Sequence, residues 1–160
     1  MPKHQEPLVL DKNVAPDVAS AVGYRPVSAS TIRPQRGYRG SHSDDEDFAH
    51  VLQLGAERAV PVLTNDGDLI NKARVFSDEQ SKTRRGAEEW CTRGVVVLPK
   101  GKAEQISTLQ RFEGGEIDVI PAASGVPAPR NLEDVREQNV GVDLRADHPR
   151  AIDLCHHEFE

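Results

Sequence analysis

The chain has 160 residues and a formal net charge of −6, a length that suits one ordinary domain with a sizeable core. Only 4% of its residues are aromatic, so the core has to be aliphatic, and no apolar run approaches the roughly eighteen residues of a membrane-spanning helix. No apolar leader follows Met1-Pro2-Lys3-His4-Gln5-Glu6, and Cys91 and Cys155 form neither a C-x-x-C motif nor a disulfide framework, so a soluble, cytoplasmic protein with free thiols and no membrane contact is predicted.

In chain order, Pro7 to Asp11 reads as a first strand and Ala15 to Val22 as a short helix, with Asn13 as its N-cap and Gly23 as its stop. Pro26 to Ala29 suits a second strand. From Arg25 to His42 there is no acid, while Arg25, Arg33, Arg36 and Arg39 are interspersed with Tyr24, Tyr38, Gly, Pro and Ser. This is read as a basic loop whose Arg33, Arg36 and Arg39 are candidates for phosphate contact.

Ser43 and Glu46 have the spacing of a capping box, and Phe48, Leu52, Gly55 and Ala59 follow at helical spacing. On that stripe Asp45 faces the sheet at the helix start and Asp47 points away, with Asp44 as the competing acid. Val60-Pro61-Val62-Leu63-Thr64 is a short β-branched run that stops at Asn65-Asp66-Gly67-Asp68-Leu69, two carboxylates in a turn. Such a run suits a strand of a parallel sheet, where ligand sites lie beyond the carboxyl ends. Leu8-Val9-Leu10 ends in the same way on Asp11 and Asn13.

Leu69 to Val75 continues as helix, and Ser77 with Gln80 opens another that runs to about Cys91, Trp90 serving as packing. Gly94 ends it. Val95-Val96-Val97-Leu98 is the next buried strand, and Ala103, Ile106 and Leu109 the inner face of a further helix. The alternation predicts a three-layer α/β/α fold with a central, mainly parallel sheet over residues 7–112.

Residues 113–160 read differently. They hold eleven acids against four arginines, a net charge of −7 that leaves +1 for residues 1–112. Ile117 to Ile120 could add a strand, and Pro121 to Pro129 is rich in Pro, Ala and Gly. The segment is therefore predicted to be an acidic C-terminal tail, extended or partly disordered over 121–160, that either lies across the basic loop and masks it or simply adds net charge and solubility. Cys155-His156-His157 with His148 is a weaker metal motif.

Asp11, Asp45, Asp66 and Asp68 come from three elements that this fold brings to one edge of the sheet. Carboxylates so gathered repel one another without a cation, and an all-oxygen ligand set selects Mg²⁺ or Mn²⁺. The matching substrate is a phosphodiester.

These residues resemble the PIN-domain ribonucleases, in particular their shorter PIN-like branch. The resemblance lies in Leu8-Val9-Leu10-Asp11-x-Asn13, Asp45-x-x-Phe48-x-x-x-Leu52, Val62-Leu63-Thr64-Asn65-Asp66-x-Asp68 and Gly94-Val95-Val96-Val97-Leu98. It implies a metal-dependent endoribonuclease acting on single-stranded RNA, toxin-like, with Asp11, Asp45, Asp66 and Asp68 as the catalytic, metal-binding acids. Asn13 and Thr64 would orient those carboxylates. An inhibitory protein partner of antitoxin type and a homodimer are compatible with the same resemblance. Two alternatives stand beside it: a non-catalytic RNA- or protein-binding module on the same fold, and a phosphatase using Asp11 as nucleophile. Asn13 stands where the phosphatase would need a second aspartate.

Overall fold

The computed structural model describes residues 6–31, 46–75, 93–122 and 127–154. They form an α/β fold around a six-stranded sheet. In chain order the elements are β1 (Pro7–Leu10), α1 (Pro16–Ser20), β2 (Arg25–Ser28), α2 (Glu46–Arg58), β3 (Val62–Thr64) and the described part of α3 (69–75). They continue with β4 (Val95–Val97), α4 (Lys102–Glu113), α5 (Leu132–Gln138), β5 (Val140–Asp143) and β6 (Ile152–Asp153). The strand order is β2-β1-β3-β4-β5-β6, with β6 antiparallel to β5 and every other pair parallel.

Because alternate residues of a strand face opposite sides of the sheet, the short apolar strands feed two separate cores. Leu8, Leu10, Leu63, Val96, Val140 and Val142 join Val18 and Ala19 of α1, Leu109 and Phe112 of α4, and Leu132 and Val135 of α5. Val9, Val27, Val62, Val95 and Val97 join Val51, Leu52 and Leu54 of α2 and Leu69, Ile70 and Ala73 of α3. Both cores are aliphatic apart from Tyr24 and Phe112 in the first, as the composition requires.

Two glycines allow close approach. At Gly55 a Cβ would come within 2.7 Å of Val62 Cγ2, so α2 rests almost directly on β3. Gly94, at φ +115°, leads into β4, and a Cβ there would collide with Val135 of α5. Gly94→Ala is therefore expected to combine backbone strain with overpacking and to cost about 3 kcal/mol of stability in urea denaturation.

The structure corrects several expectations. The first helix starts at Pro16, with Ala15 as an N-cap that offers no side-chain bond, rather than being capped by Asn13. Proline at the first helical position supplies its fixed φ and lacks the N–H that a cap would satisfy. Gly23 does take the left-handed conformation expected of a stop, at φ +85°. In α4 the buried face is Gln105, Thr108, Leu109 and Phe112, with Ile106 partly buried and Ala103 exposed. Phe112 is fully buried, and placing it inward rotates the helix away from Ala103. Ile120 makes a single bridge, to Arg150, instead of a strand.

The largest correction concerns the acidic C-terminal segment. Residues 132–143 form α5 and β5, and β5 pairs along its length with β4, so 127–154 is not an extended or disordered tail appended to a domain ending at 112. Asn131 accepts a hydrogen bond from the Asp134 N–H at 2.9 Å and so caps α5, and Asn139 closes it in the left-handed region at φ +57°. Glu133, Glu137 and Asp147 are exposed and Asp134, Asp143 and Asp153 half-buried, while Leu132, Val135, Val140, Val142 and Leu144 point into the core.

Candidate active site at the carboxyl edge of the sheet

The path β1-α1-β2 moves the chain one way along the sheet, and α2 brings it back across β1 to place β3 on the other side. The connections leaving β1 and β3 thus part in opposite directions, the arrangement that in open parallel sheets leaves a crevice beyond the carboxyl ends. Open parallel sheets bind ligands at this point. Asp11 leaves β1 there, and Asn65, Asp66, Gly67 and Asp68 leave β3 beside it.

Thr64 holds the two loops together. Its fully buried hydroxyl donates to Asp11 Oδ2 at 2.7 Å and accepts the Asp66 N–H at 3.0 Å. The other Asp11 oxygen, Oδ1, accepts the Lys12 N–H at 2.7 Å, and the Asp11 N–H donates to Leu63 O at 2.9 Å. Asp66 Oδ1 in turn accepts the Asp68 N–H at 2.9 Å, which tightens the turn and starts α3. Asp11 and Asp66 are partly buried, whereas Asp68 is exposed.

Thr64→Val keeps the volume but leaves the Asp66 N–H unpaired and Asp11 without one donor. The expected loss is about 2 kcal/mol in denaturant unfolding, larger than for a hydroxyl with a single partner.

The register adds an acid that the sequence reading did not select. Thr64 pairs with Val97, and Val97 pairs with Asp143, so Asp143 ends β5 on the row that holds Asp11 and Thr64. Three strand spacings put it roughly 14 Å from Asp11 along the edge. Asp143 binds Arg145 through two parallel bonds, Nε to Oδ1 and Nη2 to Oδ2, both 2.9 Å, and its Oδ1 also accepts the Arg145 N–H at 3.0 Å. Burial, the largest single influence on Asp143, pushes its carboxyl pKa up, but the Arg145 bonds and charge outweigh it and hold it below the usual value. The signal available in the sequence was Val140-Gly141-Val142-Asp143, an apolar run ending on an acid like Leu8-Val9-Leu10-Asp11.

Of the predicted site residues, the structure brings Asp11, Thr64 and Asp66 into one hydrogen-bonded group, with Asp68 bonded to it through its backbone. Asn13 is exposed in the turn after Asp11. Asp45 and Arg33, Arg36 and Arg39 lie outside the described residues, as do Trp90, the second capping box and Cys155-His156-His157.

The donor chemistry at Asp11, Asp66 and Asp68 fits Mg²⁺ or Mn²⁺: all ligand atoms are hard oxygens, and each carboxylate oxygen that accepts one hydrogen bond retains a second lone pair. Among the described residues no three His, Cys, Asp or Glu side chains stand close enough to hold an ion by themselves. Mg²⁺ characteristically takes only one or two carboxylates and completes its shell with water and phosphate oxygens.

At the opposite edge, a depression of about 250 Å³ is lined by Ala59, Arg93, Arg136 and Glu137, away from these acids. No helix among the described residues is long and apolar enough to cross a membrane. No family model, curated protein or solved structure matches the chain.

Proposed function

We propose that the protein is a metal-dependent endoribonuclease with a three-layer PIN-like fold, hydrolysing phosphodiester bonds of single-stranded RNA. The observation that carries this reading is the Thr64 hydroxyl, which fixes the Asp11 carboxylate and the Asp66 backbone together where the strand order reverses. Asp11 and Asp66 would hold Mg²⁺ or Mn²⁺, with Asp68 and Asp45 binding through water or from the helix side. The bound ion supplies Lewis-acid stabilisation of phosphoryl charge and a water of lowered pKa. Thr64 and the Lys12 N–H keep Asp11 in one rotamer, so the carboxylate needs little rearrangement to bind the ion. Arg33, Arg36 and Arg39 would follow the RNA backbone. A cytoplasmic, toxin-like enzyme restrained by an inhibitory protein belongs to the same reading.

The competing reading is a binding module on the same fold. It is favoured by the lack of a three-acid group among the described residues. Incubating end-labelled single-stranded RNA, structured RNA and DNA with and without Mg²⁺ or Mn²⁺ separates the two. Metal-dependent cutting of single-stranded RNA supports the nuclease; retention of intact RNA in every condition supports the module. Trapping a phosphate analogue on Asp11 would instead indicate the phosphatase.

A further inference from the structure

Arg145 is the one cation that the described structure holds rigidly at the acidic edge by a two-bond fork. Asp143 takes Nε and Nη2. The guanidinium then reaches back over the loop after β3, where it occupies the space above Gly67 that a Cβ would need. No ion pair joins it to Asp66 or Asp68, yet it lies near enough for both charges to act on it. Its side chain is 42% exposed, and the fork to Asp143 uses two of the five guanidinium N–H groups.

An arginine whose only bonds are to one aspartate would serve surface stability alone, and an exposed pair of that kind is worth little. Two features argue for a further role. The residue beneath it is glycine without a left-handed φ, and the guanidinium fills the space that the absent side chain leaves. A planar fork pinned on one edge is also pre-organised to bind a phosphate with the other.

We propose that Arg145 is a phosphate-binding residue, set by Asp143 and seated over Gly67, that grips a phosphodiester of single-stranded RNA next to the Asp11–Asp66 crevice. This rests on the nuclease reading for the identity of the anion. Besides Asp143, the charges of Asp66 and Asp68 act on Arg145, so RNA reaches it only when divalent ions neutralise the acids, and metal and RNA binding reinforce each other. Gly67 is a specific lever. A methyl there displaces the guanidinium without changing the net charge.

The test is equilibrium binding of a short fluorescent oligouridylate to the full chain, followed by anisotropy in Ca²⁺ and in chelator, for wild type, Arg145→Ala, Arg145→Gln, Gly67→Ala and Gly67→Ala/Arg145→Ala. Circular dichroism identifies the variants that remain folded. In Ca²⁺, each Arg145 variant and Gly67→Ala should bind about tenfold more weakly than wild type. The salt dependence of log K should become shallower by about 0.7 when Arg145 is removed. The double variant should be no weaker than Arg145→Ala, because both changes remove one contact. Unchanged affinity and salt slope in either folded Arg145 variant, additive losses in the double variant, or no binding by wild type would each overturn the proposal. If wild type binds through Arg145 yet cuts no RNA with Mg²⁺ or Mn²⁺, the nuclease reading fails and the phosphate contact stands. If wild type cuts RNA but Arg145→Ala binds as wild type does, the reverse holds.

Discussion

Asp66→Asn is expected to reduce Mg²⁺- or Mn²⁺-dependent cleavage of single-stranded RNA by about a thousandfold or more, because losing one carboxylate from an ion held by few protein ligands removes several kcal/mol of transition-state stabilisation. The fold should be unaffected. An asparagine oxygen still accepts the Asp68 N–H, and the backbone N–H of residue 66 keeps its bond to Thr64. Asp11→Asn should be comparably inactive at a small cost in stability, since an amide satisfies the Lys12 N–H with its oxygen but turns a donor toward the Thr64 hydroxyl. Cleavage by Asp66→Asn at the wild-type rate, with an unchanged melting temperature, would remove Asp66 from the site.

Deleting residues 127–160 is expected to unfold the protein rather than unmask an RNA-binding surface. The deletion takes away Leu132, Val135, Val140, Val142 and Leu144, all buried in the core that also holds Leu8, Leu10, Leu63 and Val96. At roughly 2 kcal/mol for each aliphatic side chain, the loss is comparable with the whole stability of a typical domain. It also exposes the edge of β4, whose residues pair with Gly141, Val142 and Asp143. A cooperative melt of the truncated chain, near that of the full chain, would contradict this and restore the picture of a detachable tail.

The contrast between these two regions shows what the sequence made legible. Leu8-Val9-Leu10, Val62-Leu63-Thr64 and Val95-Val96-Val97 are uninterrupted apolar runs between polar turns, and each forms a central parallel strand. Their termini put Asp11, Thr64 and Asp66 side by side, because a strand's end fixes where the next side chain stands. In Val140-Gly141-Val142 the run is broken by a glycine, which weakens the pattern for a structural reason. A Cβ at residue 141 would come within 2.9 Å of Ile70 Cγ1, so α3 packs against bare backbone.

High acid density hid the rest. Glu133, Asp134 and Glu137 lie on outward positions of α5, where charge reports solvent contact and says nothing against folding. Asn131 and Asn139, which cap α5, are of a residue type suited to those positions, but α5 has only seven residues between them and too few apolar positions to show a helical period. Arg145 illustrates a different limit. Its place over Gly67 depends on the pairing of β5 with β4 and on a contact between positions far apart in the chain, and neither follows from local spacing.

The central claim is that Asp11 and Asp66, joined through Thr64, hold a divalent ion. Calorimetric titration of the purified full chain with Mn²⁺, in parallel with Asp11→Asn and Asp66→Asn, tests it without reference to any substrate. Saturable binding in the wild type that disappears in both variants is the predicted result; no saturable binding in the wild type, or equal binding in all three folded proteins, would contradict it.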